Sequence, residues 1–176
     1  MRIFLTGFMG AGKSWTGTRL AHLLEVPFVD LDAEIEALTG MTISDIFTQH
    51  GEAAFRAIET ETLREFAQDE AFVLSTGGGA PCFNDNMVWM NDRGTTVFLD
   101  PAIPVMLSRL EAGRAHRPLL KDAVELEEFV RKMLDQRRPV YEQANLHIRY
   151  DNPELDVANL LLERLFARRV NQSVPN

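Results

Sequence analysis

The sequence predicts an α/β protein with three layers, in which helices cover both faces of a five-stranded parallel sheet. Short runs of β-prone apolar residues alternate along the chain with longer segments of helical periodicity. Such alternation is typical of βα crossovers, which produce parallel sheets. The 176 residues suit one domain, which we place at residues 1–170, with a frayed tail over 171–176.

Five apolar runs are the predicted strands, and turn residues end most of them. The runs are Ile3–Leu5, Phe28–Asp32, Ala71–Leu74, Thr96–Leu99 and Leu146–Tyr150. Glycine or Asp-Pro segments follow the first, third and fourth, as expected where a chain leaves a sheet. The predicted helices are Lys13–Leu24, most of Ala33–Phe66, Asp85–Asp92, Ile103–Leu110, Leu126–Ala144 and a last helix packed through Leu155, Ala158, Leu162, Leu165 and Phe166.

Local signals subdivide the longer helical segments. Thr42 is followed three residues later by Asp45, which predicts a helix N-cap. Gly51 should break the pattern, and Pro139 should interrupt the helix that contains it.

Charge and composition exclude several classes of function. Eighteen lysines and arginines against 26 aspartates and glutamates give a net charge of −8. That balance argues against nucleic acid or an anionic membrane as a partner. Without a signal peptide or a long apolar run, and with Cys82 as the single cysteine, the sequence predicts a cytoplasmic protein without disulfides.

The first candidate site is a phosphate-binding loop. Gly7–Ser14 matches the pattern G-x-x-x-x-G-K-[ST] between a predicted strand and a predicted helix. The glycines allow successive main-chain N–H groups to point at phosphate oxygens, and the helix start adds positive potential. Lys13 would reach the β- and γ-phosphates of a nucleotide, and the Ser14 hydroxyl would ligate Mg²⁺. The alternative is an ordinary glycine-rich turn.

Two carboxylates end the second predicted strand. In an extended chain Asp30 and Asp32 point to the same side, because side chains alternate. One could hold a water on Mg²⁺ while the other orients a substrate hydroxyl. The alternative is a polar strand end that caps the next helix.

Two further segments suggest recognition of an anionic acceptor. Arg56 and Glu59 lie three residues apart on one helix face, so the carboxylate can hold the guanidinium towards an anion. Gly77–Gly79 follows a buried strand and makes sense where a ligand closely approaches main-chain N–H groups. The alternatives are a surface ion pair and a plain turn.

Arginines of two later segments could also contact phosphate or substrate. Arg117, in a predicted loop, could act as an arginine finger on the transferring phosphoryl group. Either Arg137 or Arg138 could grip an anion, and the residues alone leave that choice open. The alternative for each is solvated surface charge.

Taken in order, these motifs resemble the shikimate kinase family. The matching segments are Gly7–Ser14, Asp30–Asp32, Phe55-Arg56 with Glu59, Gly77–Gly79, Arg117–Leu120, and Arg137 with Pro139 and Tyr141. The resemblance implies a P-loop kinase of the nucleoside-monophosphate-kinase type. It would have a substrate-binding helical region at about 33–61 and a lid at about 111–123. The implied reaction is transfer of the γ-phosphoryl group of ATP to the 3-hydroxyl of shikimate.

The resemblance also implies roles for individual residues. The implied catalytic residues are Asp32, Lys13 and Arg117. The implied nucleotide contacts are Gly10, Ala11, Gly12, Lys13, Ser14, Trp15 and Arg117. The implied shikimate contacts are Asp32, Arg56, Gly77, Gly78, Gly79 and Arg137, and the implied Mg²⁺ ligands are Ser14 and Asp30. Trp15 departs from the small hydroxyl residue usual in the family, and we expect it to pack beside the loop.

Two alternative functions remain open at this point. Another small-metabolite kinase of the same fold, such as a gluconate kinase, would share the phosphate loop without Gly77–Gly79, Arg56 and Arg137. A nucleotide-dependent binding module or a catalytically silent relative would have no need for Asp30, Asp32 and Lys13. We expect a monomer that acts on small molecules.

Overall fold

The structure is a computed structural model that describes residues 1–112 and 126–172, with side chains described up to Arg168. Its described residues form one parallel sheet of five strands in the order β2–β3–β1–β4–β5. The strands are β1 Arg2–Thr6, β2 Phe28–Asp30, β3 Phe72–Ser75, β4 Thr95–Pro101 and β5 Leu146–Tyr150. The predicted sheet is therefore confirmed.

Helices cover both faces of this sheet. They are α1 Lys13–Leu24, α2 Leu31–Thr39, α3 Ile43–Glu65, α4 Asn86–Arg93, α5 Ile103–Ala112, α6 Leu126–Tyr141 and α7 Val157–Gln172. Ile3 and Leu5 of β1 pack in a cluster with α1 and α7, whereas Phe4 packs in a cluster with α3 and α4. This alternation produces the three layers. No helix in the described ranges is both long and apolar enough to span a membrane.

The end of β2 differs from the prediction. We expected extended chain through Asp32, but the strand ends at Asp30 and Leu31 begins α2. Leu31 and Ile35 are one turn apart and both fully buried, so a helix places both in the core. Asp32 lies in the first turn, where the helix dipole favours a carboxylate. The strand-alternation argument for Asp30 and Asp32 was therefore wrong.

Two predicted signals inside α3 are confirmed. The Thr42 hydroxyl accepts a hydrogen bond from the Asp45 N–H at 3.1 Å, as a helix N-cap does. Gly51 has φ 79° and ψ 172°, so the helical geometry is broken at that residue.

Two prolines do not act as predicted. Pro139 lies inside α6, where the missing N–H affects only the last turn. Pro101 ends β4 rather than stopping the strand before it, since β5 still pairs there while β1 pairs only as far as Phe98.

The packed face of α7 also differs from the prediction. Phe166 is exposed, and Leu161 is fully buried in its place. The predicted frayed tail begins at residue 171, whereas the described helix extends to Gln172.

Candidate active site

The ends of neighbouring parallel strands bring three of the predicted segments together. Ser75, at the end of β3, pairs in register with both Leu5 and Asp30. The Ser14 hydroxyl lies 3.4 Å from the Ser75 hydroxyl and donates a hydrogen bond of 2.6 Å to Asp30 Oδ2. The loops after β1, β2 and β3 therefore meet at one edge of the sheet, where ligands of such folds bind.

The phosphate loop requires glycine at several positions. Gly7 has φ 137°, and a Cβ there would lie 2.6 Å from the Leu99 carbonyl oxygen. Gly10 and Gly12 have φ values of 79° and 82°, which other residues rarely adopt. The Ala11 N–H donates to the Phe8 carbonyl at 3.1 Å, which closes the loop. The predicted placement of Gly7–Ser14 between a strand and a helix is confirmed, and its phosphate-binding role stays a prediction.

Two side chains at the start of α1 already have partners around the loop. Lys13 Nζ donates to the carbonyls of Gly7 at 2.9 Å and Phe8 at 3.2 Å. The Lys13 ammonium group therefore lies against the predicted phosphate-binding loop. Ser14 and Asp30 place a hydroxyl and a carboxylate side by side, and hard oxygen donors of this kind suit Mg²⁺.

Trp15 does not pack as predicted. Its side chain is 62% exposed on the first turn of α1, and Arg19 lies 5.9 Å from its ring centre. Thr16 and Gly17 face the sheet, so the helix turns Trp15 towards solvent. Its predicted nucleotide contact stays a prediction.

Asp32 lies in the cleft between the loops that follow β1, β2 and β3, and several charged groups act on it. It remains accessible to solvent, but protein atoms surround much of its carboxyl group. This partial burial raises the pKa of Asp32, and the charge of Asp30 raises it further. Lys13 and Arg56 act in the opposite direction, which places both cations near the same carboxylate. Asp32 thus lies within the fields of both the phosphate-loop cation Lys13 and Arg56.

Arg56 is held more firmly than the sequence suggested. Its guanidinium donates to Glu59 at 2.7 Å, the predicted i,i+3 pair, and also to Glu52 at 3.1 Å. Aromatic rings enclose it, with Phe83 at 4.3 Å and Phe55 at 5.0 Å from its central carbon. Arg56 is only 9% exposed and Glu59 is fully buried, so the alternative of a surface ion pair is wrong.

Glu59 has a free acceptor on the side facing Asp32. Its Oε1 is buried, without a hydrogen-bond partner in the described part of the chain. Burial raises the pKa of Glu59, and the charge of Arg56 opposes that rise. An oxygen of each carboxylate, Glu59 Oε1 and Asp32 Oδ1, lies within 2.9 Å of the position that a Cβ on Gly77 would take.

Two of the three consecutive glycines, Gly77 and Gly79, are explained by these charged neighbours. At Gly77 a Cβ would meet the two carboxylates, and at Gly79 it would lie 2.5 Å from Arg56 Nη2. At Gly78 the nearest atom would be 3.5 Å away, which is ordinary contact. Charged side chains of the protein therefore approach the main chain closely at Gly77 and Gly79, and the predicted ligand contact of this loop stays a prediction.

This packing leads to a testable difference between two glycines. Gly79 has φ −87° and ψ −27°, which alanine adopts readily, so Gly79→Ala should act only by displacing the guanidinium of Arg56 from Glu59. We expect a loss of about 1–3 kcal/mol in the free energy of unfolding, measured with urea. The matched change Gly78→Ala should be neutral or stabilising by about 0.5 kcal/mol. Equal effects of the two changes would contradict this account.

Arg137 and Arg138 differ in their contacts because Arg138 pairs with an aspartate that lies far from it in the sequence. Arg138 makes two hydrogen bonds to Asp100, of 2.8 and 3.0 Å, and Asp100 also contacts His147. Burial tends to raise the pKa of Asp100, but the hydrogen bonds from Arg138 and His147 outweigh burial and lower it. Arg137 instead lies near Gly78, with Nη1 3.6 Å from the position of a Cβ there. Of these two arginines, only Arg137 faces the glycine loop.

Three residues near the two loops were given no functional role by sequence reasoning. Tyr141 donates a short hydrogen bond to the Gly78 carbonyl, and Tyr150 donates to the Ala11 carbonyl at 2.9 Å. Arg109 donates to the Tyr150 hydroxyl at 3.1 Å. Tyr150 is the last residue of β5, so the rule that sites form at strand ends could have identified it.

The remaining predicted site residue, Arg117, and most of the predicted lid at about 111–123 lie outside the described residues. The structure brings most of the other predicted site residues to one cleft. They are Lys13, Ser14, Asp30, Asp32, Arg56, Arg137 and the glycines of both loops.

Comparison with known proteins gives a consistent result at three levels. The family model described as shikimate kinase matches residues 9–166. A shikimate kinase of Bacteroides fragilis is 50% identical over 147 residues, which cover 82% of each chain. One of Bacteroides thetaiotaomicron is 47% identical over 156 residues, which cover 88% of this chain and 89% of that one.

Two solved structures are similar over nearly the whole chain. The shikimate kinase of Bacteroides thetaiotaomicron superimposes with a TM-score of 0.88 at 43% identity, covering 95% of this chain and 98% of that one. The shikimate kinase of Acinetobacter baumannii in complex with shikimate has a TM-score of 0.86 at 39% identity, covering 95% of this chain and 93% of that one. The family match of residues 9–166 includes Gly77–Gly79 and most of the loop Gly7–Ser14.

Proposed function

The chain belongs to the shikimate kinase family, and from that premise we propose how its residues transfer the γ-phosphoryl group of ATP to the 3-hydroxyl of shikimate. The products are shikimate 3-phosphate and ADP, in the chorismate pathway to aromatic amino acids. One observation carries the proposal. A carboxylate, Asp32, lies within the electrostatic reach of both the phosphate-loop cation Lys13 and the anchored cation Arg56.

The nucleotide side of the cleft is the loop after β1. Main-chain N–H groups of Gly10–Ser14 would hold the phosphates of ATP, aided by the N-terminus of α1. Lys13 would exchange its loop carbonyls for β- and γ-phosphate oxygens, since an ammonium gains more from an anion than from a neutral acceptor. In our proposal Arg117 covers the transferring group from the lid, and Trp15 contacts the nucleotide beside the loop.

Mg²⁺ would be held by Ser14 and Asp30. These are oxygen donors already in contact at 2.6 Å. Among the described residues no group of three or more His, Cys, Asp or Glu could hold a metal ion. Two protein donors fit Mg²⁺, which keeps several waters and is completed by substrate phosphates. When bound, Mg²⁺ would neutralise charge on the phosphates during transfer.

The acceptor side is built from the loop after β3 and two helices. Arg56 of α3 and Arg137 of α6 would grip the carboxylate of shikimate, while N–H groups of Gly77–Gly79 would donate to the substrate. Glu52 and Glu59 hold Arg56 in place before substrate arrives, which lowers the entropy cost of binding. The carboxylate grip then fixes the ring, so that one hydroxyl faces Asp32.

Asp32 accepts a hydrogen bond from the reacting hydroxyl in this arrangement. Its raised pKa makes the carboxylate a better proton acceptor than an ordinary aspartate. Phosphoryl transfer depends mainly on alignment and on neutralising charge. In this proposal the cleft aligns the hydroxyl through Asp32 and Arg56, and it neutralises charge through Lys13.

Larger features complete the proposal. The proposed substrate-binding helical region at about 33–61 includes most of α2 and of α3. The proposed lid is the segment at about 111–123. We further propose that residues 1–170 act as a single domain and that the protein is a cytoplasmic monomer.

A coupled assay of ADP release tests the function directly. We expect turnover with ATP, Mg²⁺ and shikimate, only background release without an acceptor, and no turnover with gluconate. Chelation of Mg²⁺ should abolish the signal and added Mg²⁺ should restore it. Turnover with gluconate but not with shikimate would refute the proposal.

A further inference from the structure

Each of the two tyrosines of the chain contacts one of the two glycine loops, and the two contacts are of the same kind. The sequence contains only Tyr141 and Tyr150, which are 0% and 6% exposed. The Tyr150 hydroxyl donates to the Ala11 carbonyl of the phosphate loop, and the Tyr141 hydroxyl donates to the Gly78 carbonyl of the acceptor loop. A buried phenol bonded to a loop carbonyl thus occurs on each side of the cleft.

Each bonded carbonyl determines the direction of the next N–H group. In a trans peptide the C=O of one residue and the N–H of the following residue point in opposite directions within one plane. Tyr150 therefore fixes the direction of the Gly12 N–H, and Tyr141 fixes that of the Gly79 N–H. Both N–H groups belong to the loops assigned above to phosphate and to acceptor.

Glycines make this restraint necessary. Ala11 lies between Gly10 and Gly12, and Gly78 lies between Gly77 and Gly79. Glycine populates positive and negative φ about equally, so the peptide planes beside it rotate easily. A hydrogen bond to the carbonyl removes that freedom, whereas packing of the aromatic ring alone does not.

An arginine accompanies each tyrosine. Arg109 Nη1 donates to the Tyr150 hydroxyl at 3.1 Å and to the Gly10 carbonyl at 3.4 Å. On the acceptor side Arg137 lies beside both Gly78 and Tyr141. Burial raises the pKa of Tyr141, so its hydroxyl stays a neutral donor at physiological pH.

We propose that Tyr150 and Tyr141 are positioning residues, Tyr150 for the nucleotide loop and Tyr141 for the acceptor loop. Each hydroxyl aims a main-chain N–H at a ligand before that ligand binds. This inference rests on the proposed function for the identity of the two loops. It adds that each phenol serves one substrate and not the other.

The test compares Tyr150→Phe with Tyr141→Phe. Both changes retain the ring and remove one buried hydroxyl, so each variant is the matched control for the other. We expect Tyr150→Phe to raise the KM for ATP about tenfold and to leave the KM for shikimate within about twofold. Tyr141→Phe should do the reverse. Calorimetric titration with ADP should show weaker binding for Tyr150→Phe alone, and thermal unfolding checks that both variants are folded.

The possible outcomes separate this inference from the proposed function. If each variant changed both KM values equally, or neither, the tyrosines would be structural only and the positioning role would be refuted. If the two effects were exchanged between the variants, the assignment of the loops to ATP and shikimate would fail instead. In the ligand-free protein, the ¹H–¹⁵N amide signal of Gly12 should shift in Tyr150→Phe and that of Gly79 in Tyr141→Phe. Unshifted signals would also refute the inference.

Discussion

Replacing Asp32 with asparagine should lower kcat about 1,000-fold, the scale expected when a positioned proton acceptor is lost. The asparagine keeps the shape of the side chain but cannot accept the proton of the shikimate hydroxyl. Because the phosphate loop does not involve this side chain, the binding of ATP should change little. Steady-state kinetics and calorimetric titration with ADP measure the two quantities separately.

The pKa of Asp32 predicts how this variant depends on pH. Because the pKa of Asp32 is raised, its carboxylate in the parent enzyme becomes protonated at a higher pH than that of an ordinary aspartate, whose pKa is 3.8. The kcat/KM of the parent should fall in that range, and the residual activity of Asp32→Asn should not. Ionising a carboxyl group whose folded pKa is raised costs stability above that pKa. The variant should therefore be at least as stable as the parent at pH 7.

A control variant separates the role of Asp32 from the charge of its helix. Glu34 lies in the same first turn of α2 and is exposed, so Glu34→Gln removes one negative charge without touching the cleft. It should keep nearly full activity. Near-normal turnover of Asp32→Asn, or a melting temperature at pH 7 well below that of the parent, would contradict the proposed role.

Replacing Arg56 should raise the KM for shikimate and leave the KM for ATP unchanged. Arg56→Ala removes a charged, bidentate grip on the carboxylate, and we expect a rise of about 100-fold. It also leaves Glu59 buried without its partner, which costs about 3–5 kcal/mol of stability. Arg56→Lys keeps a cation near Glu59 but loses the planar fork, so its KM should rise by only about tenfold.

Arg138 provides the matched control for this prediction. It is an arginine of the same region, but Asp100 holds both of its terminal nitrogens away from the glycine loop. Arg138→Ala should reduce stability and leave both KM values near those of the parent. If Arg56→Lys raised the KM for ATP instead, the acceptor site would be misplaced.

Much of the fold could be predicted because it depends on neighbours in the chain. The phosphate loop, the Thr42 cap and the break at Gly51 each arise from a few consecutive residues with restricted φ and ψ. The pairing of Arg56 with Glu59 follows from helix geometry alone. These features were therefore predictable from spacing.

Two of the predictions that failed depended on burial, which spacing does not determine. Leu31 and Ile35 enter the core together only if the chain turns into a helix after Asp30, and this moved Asp32 from a strand to a helix. Trp15 was expected to pack, but the other side of α1 covers the sheet. No local pattern distinguishes such faces until the remaining layers are known.

By itself the sequence determined the parallel α/β architecture, the phosphate loop and the set of residues that resembles a shikimate kinase. Only the tertiary structure decided that Arg137 rather than Arg138 faces the cleft, and why Gly77 and Gly79 have no side chain. It also revealed that the Tyr150 hydroxyl reaches Ala11, which lies 139 residues earlier in the chain. The physical reason is that spacing controls contacts within a helix or turn, whereas contacts between distant residues depend on which strand ends the folded sheet brings together.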